Sequence, residues 1–169
     1  MAQSIPMSFF TTVLPVIMRQ QHYSLEAIGL MQLVKLPWII KFLWAPYIDR
    51  TGSSTGGYKK WIYFSEAFYA LSIASIAFFR PEEHILAVIV LMIIAITASA
   101  TQDIATDAWA ILTLSKEERS LGNSMQSMGS FVGSLVGSGV LLIVYHRFGW
   151  SFLLFSLALV VLFALLPLI

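Results

Sequence analysis

The sequence predicts an all-α membrane protein with six transmembrane helices. Its 169 residues are 58% hydrophobic and 11% charged, and the mean hydropathy is +0.81. A soluble domain is closer to half apolar and about a quarter charged. The apolar residues form runs of about 20, the length that a helix needs to cross hydrocarbon. No strand-like alternation persists, which disfavours a barrel.

Six apolar segments account for most of the chain, and we place them at about residues 4–18, 27–48, 61–79, 85–114, 121–145 and 151–169. Because the last segment reaches Ile169 without a polar tail, we expect a fragment of a longer protein. The connection at residues 51–58 is rich in Gly and Ser, which predicts a flexible loop. Kinks are predicted where prolines interrupt the first two segments, at Pro6, Pro15, Pro37 and Pro46.

Charge sets the expected orientation and excludes several partners. The loops after the second and fourth segments hold Arg50, Lys59, Lys60, Lys116 and Arg119, and the alternate loops hold Arg19, Arg80 and Arg147. The positive-inside rule then places the first set, and both ends of the chain, in the cytoplasm. The sequence has no basic patch that would suggest binding of nucleic acid. With no cysteine, neither disulfides nor thiolate metal sites are available, and we expect no cofactor.

The fourth segment carries Gln102, Asp103 and Asp107 at the end of its apolar run. The two aspartates are four residues apart, so on a helix they share a face. An ionisable residue in a membrane segment costs about 2.5–3.5 kcal/mol on insertion scales and usually faces a partner or a wet cavity. These three residues are therefore candidates for a polar pathway.

Two lysines in the second segment offer partners for these carboxylates. Lys41 lies about 12 Å from the cytoplasmic end of its helix and Asp107 about 13 Å, at 1.5 Å per residue. We therefore predict that Lys41 pairs with Asp107 or Asp103. Lys35 lies deeper, at about 21 Å, where it is free to face a water-filled cavity and meet an anionic substrate.

Two structural readings compete with the pathway. The charges can form a buried network that only fixes helix packing, or Lys41 can snorkel to the interface. Two carboxylates, two lysines, Gln102 and Glu66 in so apolar a chain favour a pathway.

In the fifth segment, Gly129, Gly133 and Gly137 recur every four residues, which predicts close helix packing.

Several stretches also match a known family. They are Gln3-Ser-Ile-Pro6, Thr12-Val-Leu-Pro15, Pro37-Trp-Ile-Ile-Lys41-Phe-Leu-Trp-Ala-Pro46-Tyr-Ile-Asp49-Arg50 and Ala100-Thr-Gln-Asp103-Ile-Ala-Thr-Asp107-Ala-Trp109. Together they resemble the N-terminal six-helix half of a major facilitator superfamily transporter. The resemblance is greatest to the branch of AmpG-type muropeptide permeases and acetyl-CoA transporters.

The resemblance implies a fold of two six-helix bundles, of which the C-terminal one is absent here. It also implies alternating access driven by protons, for a muropeptide-type or other anionic solute, in a bacterial inner membrane. Asp103 and Asp107 would be candidates for proton binding, and Asp49 with Arg50 for a cytoplasmic gate loop. The loop departs from the family pattern, since Ala45 replaces a glycine and the basic residues arrive only at Lys59 and Lys60.

Two other function classes remain open from sequence. A membrane-embedded transferase would bind Mg²⁺ through Asp103 and Asp107, but such a site needs further acidic ligands and no second Asp-rich motif follows. A structural subunit would be a six-helix half that dimerises through its fifth helix.

Overall fold

Helices and turns make up the described structure. The computed structural model describes residues 3–166, and every regular element in that range is helical. The predicted all-α class is therefore confirmed, and residues 167–169 of the sixth predicted segment lie outside the described range. We number the helices α1 (residues 4–20), α2 (Leu25–Leu43 and, after a bend, Ala45–Gly52), α3 (Thr55–Ile76), α4 (Pro81–Thr113), α5 (residues 116–148) and α6 (residues 150–163).

Helix caps extend two helices beyond their apolar segments. The Ser54 hydroxyl accepts a 3.1 Å hydrogen bond from the Gly57 N–H and starts α3. At the start of α5, Ser115 and Glu118 form a capping box, and its hydrogen bonds lower the pKa of Glu118. The prediction of a flexible loop at residues 51–58 is wrong, because α2 continues to Gly52 and α3 begins at Thr55. The caps satisfy backbone N–H groups at the starts of the helices. The Gly and Ser content of the stretch does not reveal that a serine acts as such a cap.

Two helical stretches of residues 3–166, Pro81–Thr113 and Lys116–Phe163, are apolar and long enough to cross a membrane. The bent pair in α2 would be a third. The 48 residues of Lys116–Phe163 would extend about 72 Å as one straight helix, over twice the hydrocarbon thickness. Gly149 interrupts the stretch with φ 82°, which glycine adopts without steric cost. The break separates α5 from α6.

Irregular turns lie near Pro15 and Pro46, two of the four prolines for which kinks are predicted. In α1, Pro15 lies two residues after a π-helical turn at Phe9–Val13. In α2, the two helical arms meet at a bend of 52° just before Pro46. Since proline lacks an N–H and clashes with the preceding turn, it breaks the regular ladder at such points. A 3₁₀ turn, Lys41–Leu43, immediately precedes the bend and carries Lys41.

The main apolar core lies where α1, α3, α4 and α6 meet. Its largest fully buried side chains include Phe9, Leu14, Tyr69 and Met92. Trp150 at the start of α6 donates a 2.9 Å hydrogen bond to the Phe79 carbonyl, which ties α6 to the turn that follows α3. This packing makes α4 a central helix, with α3 on one side and α2 on another.

The glycine repeat of α5 lies partly against α1. Gly133 and Gly137 are buried, whereas Gly129 is only half-buried. A Cβ added to Gly137 would lie 2.8 Å from the Ser8 Cβ and against the Ile5 carbonyl oxygen. The Ser8 hydroxyl also donates a 3.1 Å hydrogen bond to the Ser134 carbonyl. A larger residue at Gly137 would therefore force the two helices apart.

Candidate functional site

A cavity of about 1090 Å³ opens on one side of the bundle. Helices α1, α2, α4 and α5 line it, and α3 contributes one side chain, Glu66. The polar groups on its wall include Lys41, Glu66, Gln102, Asp103, Thr106 and Gln126. In a bundle this apolar, a polar cavity is the expected location of a functional site.

Lys41 and Asp103 form an ion pair on the cavity wall. The Lys41 Nζ lies 2.5 Å from the Asp103 Oδ2, and the side chains are 30% and 12% exposed. The ammonium also lies 4.9 Å from the centre of the Trp38 ring, within cation–π range. The predicted pairing of Lys41 is therefore present, and of the two candidate partners the structure selects Asp103.

Asp107 has different surroundings although it lies one turn further along α4. It is exposed, and its Oδ1 accepts a 3.2 Å hydrogen bond from the Gln126 side-chain amide of α5. It borders a second cavity of about 530 Å³, which Arg119 also lines. The Arg119 Nη2 donates to the Ile111 carbonyl at 2.7 Å. The two aspartates thus face different neighbours from one helix.

Gln102 and Lys35 are placed differently from each other. Gln102 lines the main cavity, and its Oε1 is buried without a hydrogen-bond partner among the described residues. Lys35 ends the 3₁₀ turn Gln32–Lys35, is half-buried and is not part of the wall of the main cavity. The roles assigned to both residues from sequence stay predictions.

The residues of the predicted gate loop lie at the end of α2. Asp49 and Arg50 are both exposed, and the Tyr58 hydroxyl of α3 donates to the Asp49 Oδ1 at 3.2 Å. Nearby, the Lys59 Nζ lies 5.8 Å from the centre of the Trp109 ring of α4. These contacts join the ends of three helices, and the gate role stays a prediction.

Two site residues were missed by the sequence reasoning. Glu66 counted only as one of several polar groups, yet it is 1% exposed and lines the cavity. Its position as the one acid of the third apolar segment was a usable signal. Gln126 had no such signal, because α5 carries many polar residues before its glycine repeat. Within residues 3–166, no group of three or more His, Cys, Asp and Glu side chains is arranged to hold a metal ion.

The chain is similar in sequence to known proteins over most of its length. The model of the Major Facilitator Superfamily matches residues 1–169. The anhydromuropeptide permease of Escherichia coli (strain K12) is 30% identical over 152 residues, which are 89% of this chain and 31% of that protein. The putative transporter AmpG 3 of Rickettsia prowazekii (strain Madrid E) is 31% identical over 149 residues, 85% of this chain and 35% of that protein. The chain spans about a third of the length of these curated relatives.

Proposed function

The chain belongs to the Major Facilitator Superfamily, and we propose that it forms the N-terminal half of a permease that works by alternating access. As a member of this family it is an integral membrane protein, and the family comprises transporters rather than enzymes. The alternative of a membrane-embedded transferase is therefore set aside. In the proposed full protein, a second six-helix bundle would cover the open side of the main cavity.

The observation that carries the proposal is the Lys41–Asp103 ion pair on the cavity wall. Burial of a charged pair inside an apolar bundle costs free energy of desolvation. Such a pair is therefore expected where it has a function or a strong structural role. This pair is still 30% exposed on the lysine side, so water or a solute in the cavity can reach it. A pair that only fixed packing would gain nothing from that exposure.

We propose a muropeptide-type or other anionic solute as the substrate. The Escherichia coli relative bears the name anhydromuropeptide permease, and Lys41 supplies a positive charge on the cavity wall of this chain. An anionic group that enters the cavity would compete with Asp103 for that ammonium. Asp103 would then need a new partner, and a proton is the simplest one.

Proton coupling is accordingly assigned to the carboxylates of α4. Uptake of a proton by Asp103 would release Lys41 for the solute, and Asp107, with a single hydrogen bond from Gln126, would be a relay toward the aqueous end. The charge bias of the loops supports both ends being cytoplasmic. The bacterial relatives support an inner-membrane location.

The test is uptake by the full-length protein in proteoliposomes with an imposed pH gradient and labelled anhydromuropeptide as solute. We expect gradient-driven uptake by the unmodified protein and its loss in Asp103→Asn and Asp107→Asn. Exchange of solute between the two sides without a gradient should survive in these variants if only the coupling is lost. Glu26→Gln, a change of an exposed acid outside the cavity, serves as control.

Two results would contradict the proposal. Unchanged gradient-driven uptake in Asp107→Asn would remove Asp107 from the coupling pathway. Absence of uptake by the unmodified, folded protein would reject this solute as the substrate.

A further inference from the structure

Glu66 is a buried acid whose carboxylate is not fully paired among residues 3–166. It lies in the middle of α3, is 1% exposed and projects to the wall of the main cavity. Its Oε2 is buried without a hydrogen-bond partner in the part of the chain that the structure describes. Buried polar atoms are nearly always paired, so this oxygen calls for an explanation.

Gln102 presents a second such atom on the same cavity. Its Oε1 is also buried and unpartnered among residues 3–166. Several hydroxyl groups of the same two helices are satisfied within their helix, as in the 2.8 Å bond from Ser72 to the Phe68 carbonyl and the 2.8 Å bond from Thr101 to the Thr97 carbonyl. Two other buried hydroxyls, of Tyr69 and Ser99, are unpartnered but do not line the cavity.

The Lys41 ammonium on the cavity wall does not serve these oxygens. Lys41 is engaged with Asp103 at 2.5 Å. Both unpartnered atoms are acceptors, since a carboxylate oxygen and an amide carbonyl oxygen accept hydrogen bonds. Among residues 3–166 no donor is within hydrogen-bond distance of either atom, so a donor group that enters the cavity would complete them.

We propose that Glu66 and Gln102 form an acceptor subsite for O–H or N–H groups of the transported solute. The inference rests on the proposed transport function and deepens it. Water would occupy the subsite in the empty cavity and would be displaced by the solute. With Lys41 on the same wall, the site selects a solute that carries both an anionic group and hydrogen-bond donors. A site that binds a donor in this way rejects analogues that lack it.

The test measures binding of anhydromuropeptide, a solute with hydroxyl and amide donors, to the purified full-length protein by calorimetry. Glu66→Met removes both acceptor oxygens at similar volume, and we expect the Kd to rise at least about tenfold. Glu66→Gln keeps one acceptor oxygen and should show a smaller rise. Glu26→Gln makes the same chemical change on an exposed acid and should leave the Kd unchanged.

The outcomes separate this inference from the proposed function. An unchanged Kd in folded Glu66→Met, or in folded Glu66→Gln if Glu66→Met does not fold, would show that Glu66 holds water only and would overturn the subsite. Transport by the unmodified protein would stand in that case. Binding without uptake, weakened by Glu66→Met, would support the subsite and reject the transport proposal. Failure of the unmodified protein to bind would overturn the subsite for this solute class.

Discussion

Asp103 and Asp107 lie one turn apart on α4, yet the structure surrounds them differently. Asp103 is 8% exposed, and Lys41 reaches it from α2. Asp107 is exposed and accepts one hydrogen bond, from Gln126 of α5. Two identical side chains on one helix therefore differ in burial, in partner and in the charge that faces them.

The two aspartates differ because different helices face α4 at their positions. The two arms of α2 both pack on α4, and the 3₁₀ turn before the bend carries Lys41 to the middle of that interface. By contrast, α5 contacts α1 far more than α4, and its first half is largely exposed. Asp103 is thus largely buried against α2, whereas Asp107 is exposed. The same substitution should therefore have unequal effects at the two sites.

The largest effect is expected from unpairing Asp103. We expect Lys41→Met to lower the free energy of unfolding by about 3 kcal/mol, the low end for a buried pair because the lysine is partly exposed. Equilibrium unfolding of the full-length protein in mixed micelles measures this. The double variant Lys41→Met with Asp103→Leu leaves no unpaired charge and should be less destabilised than the single one. Equal stability of the single and double variants would argue against a paired charge.

A smaller effect is expected where α5 is closely packed. A Cβ at Gly137 meets α1, whereas nothing lies within 4 Å of a Cβ at Gly139. We expect Gly137→Ala to cost about 1–3 kcal/mol as overpacking. Gly139→Ala, in the same helix, should be neutral or slightly stabilising because alanine favours a helix more than glycine does. Thermal unfolding of the two variants side by side checks the difference, and matching melting temperatures would refute the close contact.

The smallest effect on stability is expected at the exposed Asp107. Gln126→Leu removes the single hydrogen bond to Asp107, and because both groups are exposed we expect a loss of at most about 0.5–1 kcal/mol. The same unfolding assay measures this. A loss as large as that of Lys41→Met would mean that Asp107 is as enclosed as Asp103.

The sequence alone predicted the helical membrane class and the charged residues of the candidate site. Apolar runs near 20 residues and few charges are sufficient for the class, because the cost of unpaired backbone groups in lipid leaves few structures available. Asp103, Asp107 and Lys41 stood out because charges are rare in such runs. Depth along the helix axis then matched Lys41 to the two aspartates, since the rise per residue of a helix is constant.

Only the tertiary structure decided which aspartate Lys41 binds and where the cavity lies. Spacing along α4 places both carboxylates on one face, but the partner depends on the angle at which α2 bends and on how closely α5 approaches. Neither angle nor approach is encoded locally, because both arise from contacts between residues distant in sequence. The burial of Glu66 and the open surroundings of Asp107 follow from the same packing, which the order of residues along the chain does not specify.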